Sequence, residues 1–145
     1  MKKILYIISA LLLIAACGEK NAEPTPGPAP ELTLEEKLCG AWHSTQLPIT
    51  ADIYIEFSSD NTFQLYQQVG EGAYYLYRGT WNLEDTLLTG KYNDEVSWAS
   101  DYTIEISNKT LTLTSNNTAA EVSTYEKTSV PSEIKETCVV AVKSR

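Results

Sequence analysis

Between Gly40 and Thr128 the chain is a succession of short alternating segments, and this pattern restricts the possible folds more than any other feature. Ile53, Ile55 and Phe57 alternate with Tyr54 and Glu56; beyond the turn Ser58-Ser59-Asp60-Asn61, Phe63, Leu65 and Gln67 alternate with Gln64, Tyr66 and Gln68. A period of two places alternate side chains on opposite faces, so each segment reads as a half-buried β-strand. Gly70-Glu71-Gly72 turns the chain into residues 73–83, where Tyr75, Tyr77, Gly79, Trp81 and Leu83 share one face and Tyr74, Leu76, Arg78 and Thr80 the other. Residues 87–92, 97–106, 110–115 and 122–128 follow, separated by Asn93-Asp94, Ser107-Asn108-Lys109 and Asn116-Asn117. With residues 41–47 that makes about eight strands, and no long stretch has the helical period. The expected fold is all-β, an eight-stranded antiparallel up-and-down barrel, which removes sheet edges and can enclose one small ligand. A two-sheet sandwich is the alternative. A membrane-spanning barrel is excluded, because Glu56, Arg78 and Glu105 occupy positions where an apolar outer band would be required. Ahead of the strands, Thr33 and Glu36 form a capping-box pattern that predicts a short helix over 34–39.

The first residues decide where such a domain resides. Lys2 and Lys3 followed by the apolar run Ile4 to Ala16 read as a secretory signal, too short to remain as a membrane-spanning helix. The junction Leu13-Ile14-Ala15-Ala16-Cys17-Gly18 resembles the bacterial lipobox. That resemblance implies cleavage before Cys17 and acylation of Cys17, which anchors a domain to a membrane with no spanning segment. An ordinary cleaved signal followed by a chance cysteine is the alternative. Pro24, Pro26, Pro28 and Pro30 then favour extended, solvated backbone. The expected organisation is a signal peptide over 1–16, a lipid-anchored tether over 17–31, the barrel over 32–129 and a C-terminal extension over 130–145. The extension is either a ninth strand or a packed segment held by Cys138.

Of 145 residues, 129 remain after the signal is removed, enough for one domain with a real core. The full chain carries −8, and the mature chain about −10 once Lys2 and Lys3 are lost. That excess repels nucleic acid and anionic lipid surfaces. With Cys17 acylated, Cys39 and Cys138 are an even pair flanking the strands, either a disulfide or two buried thiols.

Little in the chain suggests catalysis. His43 is its single histidine and alternates away from Trp42, so it reads as an ordinary outward-facing residue. No ligand spacing suited to zinc or calcium occurs, and no cofactor is implied. The nine tyrosines and three tryptophans are the remaining signal. Tyr75, Tyr77 and Trp81 fall on the inferred interior face, and Trp98 and Tyr102 could join them from across the barrel. These five either line a pocket for a small apolar guest or fill the interior completely. Tyr54, Tyr66 and Tyr74, on opposite faces, would form an outer patch suited to a protein or glycan partner.

The ordered set Leu38-x-Gly40-x-Trp42, Ile55-x-Phe57-x-x-Asp60-x-Thr62-Phe63, Tyr77-x-Gly79-x-Trp81, Leu111-x-Leu113 and Tyr125-Glu126-Lys127 resembles the small lipocalin-like lipoproteins of Bacteroidetes cell envelopes. Most members of that group have no established ligand. In the lipocalin pattern a Gly-x-Trp on the first strand closes one barrel end beneath a basic residue of the last strand. The resemblance therefore assigns barrel closure to Gly40, Trp42 and Lys127, with lysine where the family more often has arginine. The expected protein is a non-enzymatic outer-membrane lipoprotein, facing the periplasm or the surface, whose barrel binds a small hydrophobic or amphipathic molecule. The alternative is an interaction module with a filled barrel that contacts an envelope protein, a glycan or an inhibited enzyme.

Overall fold

Thr33 caps a five-residue helix, α1 (Leu34–Leu38), through the expected box: Glu36 N donates to Thr33 Oγ1 at 3.1 Å, and Thr33 N to Glu36 Oε2 at 2.8 Å. The computed structural model describes residues 27–141. The signal segment, Cys17 and most of the tether lie outside them. Gly27 to Glu31 are exposed and irregular, and the compact unit begins at Leu32.

Eight strands follow: β1 (Gly40–Gln46), β2 (Asp52–Phe57), β3 (Thr62–Gln68), β4 (Tyr75–Glu84), β5 (Leu87–Tyr92), β6 (Tyr102–Ser107), β7 (Thr110–Ser115) and β8 (Val122–Thr128). Each pairs antiparallel with its sequence neighbour; β1 also pairs with β8, so the ribbon closes on itself. The sandwich alternative fails on that closure. The turns use residues that tolerate a left-handed backbone, Asn61 (φ 65°), Asp85 (φ 53°) and Asn108 (φ 54°), which lets the hairpins follow the twist of their strands. The apolar sets point inward as the alternation requires: Ile53, Ile55, Phe57, Phe63, Trp81, Leu88, Ile104, Leu111, Leu113 and Tyr125 form one buried cluster with Trp42 and Leu38.

Two departures from expectation shape the barrel wall. The strand expected from Ser97 begins only at Tyr102, and β5 and β6 share just two register pairs, Leu87 with Thr103 and Leu88 with Tyr102. The intervening segment instead doubles back on β5: Tyr92 N donates to Val96 O at 2.8 Å, Trp98 N donates to Gly90 O at 2.9 Å, and Lys91 bridges Ser97. Bonding to β5 in this way satisfies backbone groups that β6 leaves unpaired.

The second departure is the tail. Beyond Val130 the chain forms a short helix, α2 (Ser132–Thr137), and a two-residue strand, β9 (Val139–Val140), so the extension is both a packed segment and a ninth strand. β9 adds in parallel to the first part of β4, Tyr75 with Val139 and Leu76 with Val140, on the side β5 does not reach. Val130 packs with Ala41, Tyr66 and Leu76, and Tyr54, Tyr74, Ile134 and Cys138 lie against them. Of the outer aromatic patch expected of Tyr54, Tyr66 and Tyr74, Tyr66 is therefore almost completely buried in a cluster with Val130 of the tail, and Tyr54 and Tyr74 are partly buried against that cluster. Contact between segments far apart in sequence leaves no periodic trace, so alternation alone showed these rings as outward.

The disulfide expectation is also corrected. Cys39 and Cys138 are both free thiols; Cys39 packs on the barrel core and Cys138 on the outer cluster. The barrel wall separates an interior side from an outer side, and the two sulfurs belong to different ones.

Candidate ligand cavity

A β-strand rises about 3.3 Å per residue, so the ten-residue β4 runs the height of the wall and its same-face residues meet quite different surroundings. Trp81 is 3 % exposed; its Nε1 donates to Thr62 O at 2.9 Å, and its ring meets Phe57 edge-on with centroids 5.6 Å apart. Tyr75, six residues away, is 48 % exposed at the edge shared with β9. Alternation assigns both to one face; level along the strand then separates them by roughly 20 Å.

One end of the barrel is sealed. Trp42 is buried, and its Nε1 donates to Leu38 O at 2.8 Å at the end of α1. Lys127, its register partner on β8, holds Nζ 4.3 Å from the indole centroid and donates to Lys37 O at 2.9 Å and Cys39 O at 2.6 Å. A cation at a helix C-terminus meets carbonyls left without intrahelical partners. An ammonium makes these bonds as a point donor, so lysine performs a closure for which a planar guanidinium is not needed. Burial pulls the Lys127 pKa below the usual lysine range, with Cys39 opposing. Gly40 fits between them: its φ is +117°, and a Cβ there would lie 3.1 Å from Lys127 Cε and Nζ.

Toward the other end the interior is not filled. A cavity of about 170 Å³ lies among Ile53, Ile55 and Phe57 of β2, Phe63 and Leu65 of β3, and Leu113 of β7. Its remaining wall is Tyr92 of β5, Trp98 and Ala99 of the doubled-back segment, Tyr102 of β6, and Ser123 and Tyr125 of β8. Phe63 anchors an aromatic group, with ring centroids 5.9 Å from Tyr92 and 5.1 Å from Trp98, and Trp98 lies 6.1 Å from Tyr102. Burial pushes the Tyr92, Tyr102 and Tyr125 hydroxyls above the usual phenol range, so each is protonated at neutral pH.

Of the five aromatic residues proposed from sequence, Trp98 and Tyr102 line this cavity together. Tyr77 stands behind it, 6.0 Å from Tyr92, and faces a separate groove with Arg78 and Asp94. Tyr75 and Trp81 do not reach the cavity, for the reason of level given above. Sequence reasoning passed over Tyr92, Ser123 and Tyr125; Tyr92 is in phase with Leu88 on β5, and Ser123 and Tyr125 with Lys127 on β8. That phase was the available signal.

Gly90 makes room for Trp98. A Cβ at Gly90 would fall 2.4 Å from the indole, so only glycine lets this ring seat against β5. Gly90→Ala is expected to displace Trp98 outward and to cost about 1–3 kcal/mol. Tryptophan emission should shift to the red, since Trp42 and Trp81 stay buried in either case; unchanged emission would contradict this seating.

His43, on the outer wall, stacks on Tyr54 with centroids 4.1 Å apart and holds Nε2 2.6 Å from Asp52 Oδ1, while the Tyr74 hydroxyl donates to the other Asp52 oxygen. Among the described residues no cluster of three or more His, Cys, Asp or Glu could hold a metal ion.

A closed eight-stranded antiparallel barrel, plugged at one end and hollow near the other, defines a small-molecule binding fold that is typically non-enzymatic. The lipocalin-like domain family model matches residues 33–113, more than half of the chain, and the protein belongs to that family. No curated protein matches the sequence closely enough to count as a relative.

Proposed function

We propose that this protein is a lipid-anchored envelope lipoprotein of Bacteroidetes type, tethered to the outer membrane through Cys17, whose barrel binds a small hydrophobic or amphipathic molecule. The observation that carries the binding half is the cavity of about 170 Å³, walled by aliphatic side chains on β2, β3 and β7 and by tyrosines and a tryptophan opposite. Such a wall gains from removing apolar surface from water, and its tyrosine hydroxyls can orient one polar end of the guest. The anchor rests on Lys2, Lys3, the apolar run and the Leu13 to Cys17 junction. The interaction-module reading is weakened by the tail packed against Tyr54, Tyr66 and Tyr74.

Native mass spectrometry of the purified protein is expected to show a co-purifying small hydrophobic or amphipathic molecule. Ser123→Phe, which puts a ring into the cavity, should lose it while retaining the wild-type circular dichroism spectrum. Cells fed labelled palmitate should label the wild type and not Cys17→Ser. An empty wild-type barrel that also ignores a panel of apolar probes would end the binding half, and an unlabelled wild type would end the anchor.

A further inference from the structure

The cavity's electrostatics define a narrower class of guest, and this step rests on the binding function proposed above. No residue lining it carries a formal charge. Lys127, the interior cation of β8, is held at the sealed end by two carbonyls and the Trp42 face and does not line it. The carboxylates nearest the cavity stand outside its wall: Asp94 lies in the neighbouring groove with Arg78, and Glu121 is exposed just before β8. Asp94 Oδ1 accepts from Val96 N at 3.2 Å, whereas Asp94 Oδ2 is buried with no hydrogen-bond partner among the described residues. A carboxylate guest would find no cation in this lining to meet it, a desolvation cost with nothing in the wall to offset it.

A cation meets the reverse situation. Phe63, Tyr92, Trp98 and Tyr102 line one side of the cavity and pack edge-to-face on one another at 67–70°, so the wall they form presents π-systems of several orientations. Ring faces attract a weakly hydrated cation, most strongly when water is excluded. About 170 Å³ equals roughly five or six water volumes, room for a branched alkylammonium head and not for a long acyl chain. We propose that the barrel cavity binds a small hydrophobic cation, a quaternary or tertiary alkylammonium, seated against the wall of Trp98, Tyr92 and Tyr102, and discriminates against carboxylates of the same shape.

The test uses three probes of one shape: choline, the uncharged 3,3-dimethylbutan-1-ol and the anionic 3,3-dimethylbutanoate, each titrated calorimetrically into the full chain. Choline is expected to bind about tenfold more tightly than the alcohol, and the anion to give no binding. Trp98→Leu should reduce the choline preference to within about twofold of the alcohol. An alcohol that matches choline, a bound anion, or a co-purifying molecule with no cationic centre would overturn the charge assignment while leaving the binding cavity in place. If none of the three binds and nothing co-purifies, the cavity function falls with it.

Discussion

Gly79→Ala is expected to lower the melting temperature by roughly 10–20 °C, a large loss for one added methyl group. Gly79 faces inward on β4 where that strand passes from β3 to β5, opposite Phe63 on one side and Tyr92 on the other. A Cβ there would lie 1.8 Å from the Lys91 carbonyl oxygen, 2.8 Å from its carbon and 2.8 Å from Phe63 Cε1. The first two are backbone atoms and cannot rotate away. Relief requires β5 to move off β4, which breaks the ladder from Thr80 to Glu84, or requires Phe63 to shift and disturb Tyr92 and Trp98. Overpacking costs typically 1–3 kcal/mol; contact with rigid backbone places this case at about 3–4 kcal/mol. Thermal unfolding followed by circular dichroism checks it, and a melting temperature within a few degrees of wild type would mean that β4 and β5 are not so closely apposed.

Trp42→Ala should cost about 3–5 kcal/mol by opening a cavity under the sealed end. The indole is buried, supplies the surface beneath the Lys127 ammonium, and caps Leu38 O, so its removal affects three elements together. Trp42→Phe separates the contributions: the ring volume is largely kept and the Nε1 donation lost, for an expected 1–2 kcal/mol. Urea unfolding should show both as lower midpoints, with Trp42→Ala the larger. Equal losses would mean that the hydrogen bond, not the packing, holds this end closed.

These sites also show how much could be read without coordinates. The motif Tyr77-x-Gly79-x-Trp81 indicates that Gly79 shares a face with two aromatic residues, but only the approach of Lys91 explains why no side chain fits. The roles of Gly40, Trp42 and Lys127 at the sealed end came from the family resemblance and not from alternation, which places no residue at a level along the barrel. The cavity wall was half readable. Trp98 and Tyr102 are there, while Tyr75 and Trp81, equally in phase, lie at other levels.

By itself the sequence determined the strands, their turns, the capped helix and the inward set of side chains, because alternation, capping and turn chemistry act between residues a few positions apart. Only the tertiary structure decided where along the wall the interior stays hollow, that Trp98 folds back over Gly90, and that residues 130–141 pack against the outer tyrosines. Each of these depends on the stagger of strands around the closed barrel or on contact between distant segments, and a local period of two carries no information about either.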